Sequence, residues 1–229
     1  MNYDEAPPFS VSRYREMQKA LPGVDALQRL VCAHLEAASP SGGMVLVVGA
    51  GGGREVEAIA ASMLPFRITG VDPSIAMLDI ARTYVPKANA REVVFVHGGV
   101  SDVSAPPGGF DAATNLLVTH FLPDDDGPDG KTAHLAAIRA RLRAGACYLH
   151  ADVSYDAPAD LSAMKAVHMR HAALAGLSEE DAACGPAIIA NMPIISAART
   201  EALLRATGFG ASHLFFQTLW YRAWVSRAI

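Results

Sequence analysis

A glycine-rich loop at residues 49–53 constrains the fold of this chain more than any other segment. It follows the apolar run 44–48 and precedes residues 54–64, which have helical spacing. A short apolar run bounded by glycine is typical of a strand buried on both faces of a parallel sheet. Glycines at such a strand–helix turn let the backbone bend sharply and let a ligand lie close against it. The loop therefore predicts a ligand-binding turn in an α/β sheet.

The alternation of strand and helix continues along the chain. Apolar and β-rich runs predict seven strands, at residues 44–48, 67–71, 93–97, 110–115, 147–153, 213–219 and 221–225. Helical spacing predicts helices at residues 11–20, 24–37, 54–64, 74–84, 131–143 and 196–206, with Met63 on the buried face of the third and Ala144-Gly145 closing the fifth. Residues 155–193 do not continue the alternation of strand and helix, and we predict that they form a helical insertion above the carboxyl ends of the strands.

These elements predict a doubly wound, mostly parallel seven-stranded sheet of the Rossmann-like class in a single domain, 1–229. Within it we expect N-terminal helices at 1–42, a cofactor-binding core at 43–153, a helical lid insertion after the fifth strand at 154–195, and a terminal helix with edge strands at 196–229.

Composition excludes several classes of protein. The 229 residues are 51% hydrophobic and 18% charged, which is an ordinary globular composition. A net charge of −4 gives no general electrostatic reason to bind nucleic acid or anionic membranes. The three cysteines have no metal-ligand spacing, so we expect no metal site. The acidic N-terminus lacks the apolar stretch of a signal peptide, and no run approaches the ~18 apolar residues that span a membrane, so we expect a cytoplasmic protein.

Asp72 ends the second predicted strand, about 20 residues after the loop, where a carboxylate can accept hydrogen bonds from both hydroxyls of an adenosine ribose. An aspartate before Pro73 could equally cap the next helix. A dinucleotide fingerprint, GxGxxG, requires glycine at position 54 or 56, where Arg54 and Val56 stand. The GxGxG loop therefore favours S-adenosylmethionine, which has no pyrophosphate to place at a helix N-terminus.

Four segments together resemble class I S-adenosylmethionine-dependent methyltransferases: residues 45–53, 70–78, 110–122 and 142–146. The resemblance covers roughly residues 43–153, and residues 203–224 more loosely. It implies that Asp72 binds the ribose and that the residues after it flank the adenine. On this basis we predict a set of cofactor-binding residues: Gly49, Ala50, Gly51, Gly53, Asp72, Pro73, Met77, Gly99, Val100 and Asn115.

The sequence departs from the family pattern in two places. Val47 stands where the family often has an acid that contacts the amino group of the ligand, so backbone carbonyls or other side chains must hold that group. Gly99 stands where an aspartate often binds the adenine amine. The C-terminal part is similar in architecture to the carboxy-S-adenosylmethionine synthase subgroup. The arginine that this subgroup uses for an extra carboxylate is missing around Cys184, which argues against that activity.

Methyl transfer is an in-line displacement on an activated sulfonium, so positioning and exclusion of water supply much of the catalysis. A base is needed only when the acceptor must lose a proton early. His120, after the fourth strand, is the candidate base, and a packed histidine with a backbone partner is the alternative. His168 and His171 share a helix face and are candidates for a substrate pocket, with a solvated or packed pair as the alternative.

The leading hypothesis is an enzyme that transfers a methyl group from S-adenosylmethionine to a small molecule. A nicotinamide-dependent oxidoreductase and a non-catalytic S-adenosylmethionine-binding protein are the alternatives. The expected partner is a small methyl acceptor, with neither nucleic acid nor membrane. The aromatic C-terminal segment is compatible with sheet core, edge cover or a homodimer contact.

Overall fold

A computed structural model of the chain describes residue 4 and residues 13–85 and 92–229, and these contain a seven-stranded sheet flanked by helices. The strands are β1 (Gly43–Val48), β2 (Phe66–Asp72), β3 (Val93–His97), β4 (Phe110–Leu116), β5 (Leu142–Val153), β6 (His213–Thr218) and β7 (Tyr221–Arg227). The helices are α1 (Tyr14–Met17, continued by a 3-10 turn, Gln18–Ala20), α2 (Val24–Ala38), α3 (Arg54–Ala60), α4 (Ile75–Tyr84), α5 (Lys131–Arg139), α6 (Pro158–Leu174), α7 (Glu179–Ile189) and α8 (Ala197–Ala206).

The strand order, β3-β2-β1-β4-β5-β7-β6, confirms the doubly wound sheet that the sequence predicts. β1 to β5 are parallel, and β7 lies antiparallel between β5 and β6. The order reverses between β1 and β4, so the carboxyl ends of these two strands border the crevice where such sheets bind ligands. The terminal pair of strands, predicted at the sheet edge, is confirmed there.

β1 shows why a continuous apolar run is needed at the centre of this sheet. Val45 and Val47 pack into the core on one face, together with residues of α2 and α3. Leu46 and Val48 pack into a second core on the other face, with residues of α5 and α8. All four side chains are at most 2% exposed, so neither face of the strand meets solvent. Because both faces of β1 are buried, the strand is held rigidly, and it fixes the position of the glycine loop at its end.

Two helices end earlier than predicted. α3 ends at Ala60, and Met63, predicted on its buried face, is 96% exposed. α5 ends at Arg139, and β5 has begun by Leu142, so Ala144-Gly145 lies inside a strand and does not cap a helix. Leu142 is buried and pairs with Phe110 before the register shifts, because an apolar residue at the sheet gains more by pairing there than by extending a helix.

The insertion after β5 consists of α6 and α7. At the N-terminus, α1 and its 3-10 turn agree with the helix predicted at residues 11–20 over the part that the structure describes. The predicted start of that segment, residues 11–12, lies outside the described residues. Ser196 caps α8 as predicted, since its hydroxyl accepts a hydrogen bond from the Arg199 amide at 3.2 Å. Within the described part of the chain, every helix is too short or too polar to cross a membrane.

Candidate functional site

The glycine loop and Asp72 form one hydrogen-bonded unit at the carboxyl ends of β1 and β2. The Gly51 amide donates to Asp72 Oδ2 at 2.9 Å, and the Ser74 amide donates to Oδ1 at 2.9 Å. The amides of Gly49 and Ala50 donate to the Val71 carbonyl. Asp72 therefore holds the loop in shape, while Ser74, and not Asp72, caps α4 through a hydrogen bond from the Met77 amide.

The Asp72 carboxylate is buried, and its charge is balanced mainly by backbone donors. Burial raises the pKa of Asp72, while the two amide hydrogen bonds oppose that shift. Asp4 lies close enough to raise it further, and it accepts hydrogen bonds from the Ser74 hydroxyl and from the first amides of α4. A ligand hydroxyl that donates to Asp72 would favour the ionised form.

The end of β3 adjoins Asp72 on the side away from β1. The Gly98 amide donates to the Asp72 carbonyl at 3.0 Å, and the Gly99 amide donates to Asp102 Oδ2 at 2.8 Å. Val100 is buried in the turn that follows. The predicted adenine-side residues Gly99 and Val100 thus lie next to the predicted ribose site, and Asp102 shapes their turn.

Backbone geometry at the loop requires glycine at two positions for different reasons. Gly49 has φ +69°, and a Cβ there would come within 2.3 Å of Val118 Cγ2. Gly53 has φ +77°, and its Cβ would come within 2.6 Å of the Ala81 backbone in α4. Met77 also lies under the loop, with its Cε 3.6 Å from a Cβ built at Gly51. The loop is therefore packed against α4 at Gly53 and against Val118 at Gly49, and neither position accommodates a side chain.

Tyr14 of α1 covers the loop from outside. A Cβ built at Gly52 would come within 2.5 Å of the Tyr14 ring. Tyr14, Gln18 and Gln28 line a small cavity of about 40 Å³ over residues 49–53, which we term the loop cavity. Burial, and secondarily the charge of Asp72, raises the pKa of Tyr14 to about 12, so this phenol is neutral at physiological pH.

A larger, mostly apolar cavity of about 140 Å³ lies beside the loop. We term it the apolar cavity; its lining comes from α1 and its 3-10 turn, the ends of β4 and β5, the insertion helices and the start of β7, and includes Tyr14, Met17, Gln18, Leu117, His120, Val153, His168, Gly185, Ile189 and Tyr221. Leu117 borders both cavities and has φ +60°, a conformation that costs a non-glycine residue of order 1–3 kcal/mol. Strain of this kind concentrates at functional sites.

His120 and Asp152 form a buried pair in the wall of the apolar cavity. His120 Nδ1 is hydrogen-bonded to Asp152 Oδ1, and the Thr119 hydroxyl donates to Oδ2. The Val153 amide also donates to Asp152, at 2.8 Å. Burial alone would raise the pKa of Asp152, but His120 and these donors outweigh it and hold the pKa below its usual value. An ionised Asp152 fixes the His120 tautomer and leaves Nε2 for a ligand.

Behind this pair lies a buried polar cluster that contains Asn115. The Asn115 side chain donates to the Tyr148 hydroxyl at 3.1 Å and lies 3.4 Å from His134 Nε2 through its Oδ1. The Tyr148 hydroxyl is 3.2 Å from His150 Nδ1. Burial lowers the pKa of both histidines to about 4, so they are neutral. Asn115, predicted to contact the cofactor, is thus engaged inside the protein, beneath the site.

The two histidines predicted for a substrate pocket occupy different positions on α6. His168 is 1% exposed, lines the apolar cavity and packs against Trp220, with ring centroids 4.9 Å apart. Both ring nitrogens are buried, and their one polar neighbour among the described residues is the Ala182 backbone, with which the ring interacts weakly. His171 lies one turn further along the helix and is partly buried. The structure therefore brings His120 and His168, but not His171, to the lining of that cavity.

Sequence reasoning missed Asp152, Tyr14 and Lys131. Asp152 was detectable, because it ends the strand next to the one that precedes His120. Lys131, 1% exposed, donates from Nζ to the carbonyls of Leu122 and Pro193, and so ties the segment after β4 to the end of the insertion. Nothing in the sequence near Lys131 signals that contact, because its two acceptors are backbone atoms distant along the chain.

Part of the chain matches a known protein family. Residues 45–145, which span β1 to the start of β5, match the family model of a methyltransferase domain. A search of curated proteins found no significant match. The matched segment contains the glycine loop, Asp72 and His120, whereas Asp152 and the insertion follow it.

Solved structures resemble the chain over nearly its whole length. Magnesium protoporphyrin IX methyltransferase from Synechocystis, solved with S-adenosylhomocysteine, is 14% identical, with a TM-score of 0.68 over 99% of this chain and 96% of that one. The 1,6-didemethyltoxoflavin-N1-methyltransferase of Burkholderia thailandensis, solved with its acceptor and S-adenosylhomocysteine, is 19% identical, with a TM-score of 0.59 over 98% and 92%. Phosphoethanolamine N-methyltransferase 2 of Haemonchus contortus, solved with S-adenosylmethionine, is 18% identical, with a TM-score of 0.65 over 94% of this chain but only 45% of that one. At such identities the likeness establishes the fold.

Proposed function

The chain is a methyltransferase with the class I fold, and we propose that it transfers a methyl group from S-adenosylmethionine to a small-molecule acceptor held in the apolar cavity. The observation that carries this proposal is the shared edge of the sheet: the loop–Asp72 unit and the His120–Asp152 pair lie at the carboxyl ends of neighbouring parallel strands, in the order β2-β1-β4-β5. Solved relatives with this fold bind S-adenosylmethionine or S-adenosylhomocysteine.

The residues at the loop fit a nucleoside that carries no pyrophosphate. Asp72 offers its carboxylate to the ribose hydroxyls, and Gly99 and Val100 border the adenine side. Apart from the Ala50 methyl group the loop carries no side chain, and added Cβ atoms at Gly49 and Gly53 would meet neighbouring residues. In this arrangement Pro73 and Met77 would pack against the nucleoside, while Gly49, Ala50, Gly51 and Gly53 would bear the rest of the ligand.

The cofactor supplies a methyl group on a positively charged sulfur. The apolar cavity, which insertion helices α6 and α7 cover as a lid, excludes water from the acceptor. His120 Nε2 accepts a proton from an acidic O–H or N–H of the acceptor, and the carboxylate of Asp152 stabilises the resulting imidazolium. His168 offers a ring nitrogen to orient the acceptor in the same cavity. The acceptor class is therefore a compact, largely apolar molecule with an ionisable hydroxyl or nitrogen.

Thermal shifts with S-adenosylhomocysteine, S-adenosylmethionine and NADH test this function. At 100 times its dissociation constant a ligand stabilises the folded state by about 2.7 kcal/mol. We expect both sulfur nucleosides to raise the melting temperature of the wild type. A shift with NADH alone would refute the proposal.

Asp72→Ala is the matching variant. It removes the ribose acceptor and one support of the loop, so we expect most of the shift with S-adenosylhomocysteine to disappear. Asp79→Ala, at an exposed position in α4, is the control and should retain the shift. If Asp72→Ala, still folded, kept the full shift, the ribose would be bound elsewhere.

A further inference from the structure

The loop cavity contains a buried carboxylate to which the function above assigns no role. Glu55, in the first turn of α3, is 7% exposed and lines this cavity directly behind residues 49–53. Among the described residues its Oε1 has no donor in close hydrogen-bonding geometry, and the Thr114 hydroxyl interacts with the carboxyl more weakly. A buried carboxylate with only a weak hydroxyl donor is costly to ionise, so such a group favours a ligand that supplies both strong donors and a positive charge.

The groups around Glu55 do not provide that charge. The Thr114 hydroxyl faces the carboxyl from β4, and the Cys32 thiol lies near it from α2. The adjacent Arg54 points outward and pairs with Asp25 at 2.5 Å. Burial raises the pKa of Glu55 to about 8, and burial, reinforced by Glu55, raises that of Cys32 to about 11. With Tyr14 also neutral, Glu55 is the group here that ionises near neutral pH.

A second acceptor points to the same kind of ligand. Gln28, on α2, lines the loop cavity, and its Oε1 is buried with no partner in the described part of the chain. Two buried oxygens that lack a close donor and line one small cavity match a group with several N–H donors. An ammonium has three such donors and a positive charge.

We propose that Glu55, assisted by Gln28, binds the α-ammonium group of the methionine part of S-adenosylmethionine. The inference rests on the proposed function. With the ribose at Asp72, on the β2 side, and the methyl group facing His120, on the β4 side, the amino-acid part of the ligand lies over β1 and the loop. Glu55 and Gln28 are the buried acceptors that border that position. Glu55 is then a binding residue for the donor, with no part in proton transfer from the acceptor.

Binding should therefore release a proton. A cation beside Glu55 favours its ionised form and lowers its pKa from the value of about 8 that burial imposes. Below about pH 8, Glu55 is protonated in the free protein and ionised in the complex. The affinity for the ligand therefore increases as the pH rises toward 8. At about pH 6.5 the amino group of the ligand is already protonated, so the released proton comes from the protein.

Isothermal titration in two buffers of different ionisation enthalpy measures this proton. The ligands are S-adenosylhomocysteine, which has the amino group, and 5′-methylthioadenosine, which has the same nucleoside without it. We expect S-adenosylhomocysteine to release about one more proton than 5′-methylthioadenosine does. Any proton that Asp72 releases is common to both ligands and cancels in this difference. Glu55→Gln should remove that difference and weaken S-adenosylhomocysteine by roughly 10- to 100-fold, with little effect on 5′-methylthioadenosine. Gln28→Leu should weaken the binding of S-adenosylhomocysteine less than Glu55→Gln does.

Glu36→Gln is the matched control, because Glu36 also lies near Cys32 but outside the loop cavity. It should bind both ligands as the wild type does. Unchanged affinity and proton release in Glu55→Gln would overturn the inference, and so would an equal loss of both ligands, which would show a structural role. If the wild type bound neither ligand, the proposed function itself would fail.

Discussion

The donor side and the acceptor side of this site are built in different ways. The donor side is local: residues 49–53 and Asp72 come from two neighbouring strand ends, and backbone amides make most of its contacts. The acceptor side is assembled from five distant parts of the chain, and side chains form its lining. The shape of the first depends mainly on backbone conformation and on the Asp72 carboxylate. The second tolerates new side chains, which is how one fold serves many acceptors.

The largest effect should come from Gly53→Ala. The new Cβ meets the Ala81 backbone at 2.6 Å, and φ is +77°, so we expect a destabilisation of about 2–4 kcal/mol and loss of S-adenosylhomocysteine binding. Urea denaturation and titration calorimetry measure the two effects. Gly108→Ala is the control, because Gly108 also has positive φ but has nothing within 4 Å of a new Cβ. Equal losses in the two variants would mean that the loop is not pressed against α4.

Asp152→Asn should have an intermediate effect, confined to the acceptor side. Asparagine cannot accept from both Thr119 and His120 as the carboxylate does, so we expect a loss of about 1–3 kcal/mol at neutral pH. Affinity for S-adenosylhomocysteine should not change, and calorimetry checks this. A tenfold loss of that affinity would show that the two sides are not separable.

The same variant makes a prediction about pH. Because the folded state lowers the pKa of Asp152, its contribution to stability is present above the unfolded value of about 3.9 and is lost as the pH falls through the lower folded value. The wild type should therefore lose more stability than Asp152→Asn on acidification through that window. Denaturant midpoints measured across it give the comparison, and parallel curves would contradict the assignment.

Gly185→Ala should have the smallest effect. Gly185 lies within α7, and a new Cβ would stand 3.4 Å from His168 Nε2, near ordinary contact distance. Alanine in a helix interior is favoured over glycine by roughly 0.5–1 kcal/mol, but Pro186 disfavours a Cβ on the helical residue before it, so we expect a change of less than about 1 kcal/mol in thermal denaturation. A clear destabilisation would show that the acceptor side is packed as tightly as the donor side.

The same contrast explains which features the sequence reveals. The glycine loop and Asp72 are visible because their function depends on short segments and on strand ends. The partnership of His120 with Asp152 depends on the pairing of β4 and β5, although Asp152 lies near the end of a predicted strand and His120 follows another. Glu55 has no sequence signal at all, since only burial distinguishes it from an ordinary glutamate in the first turn of a helix. Val47 indicated that another group must hold the amino end, but not which one.

Errors in helix length had a physical origin as well. Helical spacing continues past Ala60 and Arg139, but spacing does not reveal what the chain packs against next. Leu142 pairs with Phe110 in the sheet and is buried there, whereas the Met63 side chain is exposed to solvent. Tertiary contacts decide such boundaries, and local propensity of a few tenths of a kcal/mol per residue is overridden by them.

Helix α1 gives the two sides a common boundary. Tyr14 and Gln18 line both cavities, and ion pairs hold this short helix at each side, from Arg13 to Asp181 at 2.7 Å and from Arg15 to Glu57 at 2.5 Å. A ligand that fixes α1 over one cavity therefore orders a wall of the other. By linkage, each ligand then raises the affinity for its companion by the same factor. A partition that is only one helix thick is thus a wall that the donor and the acceptor would share.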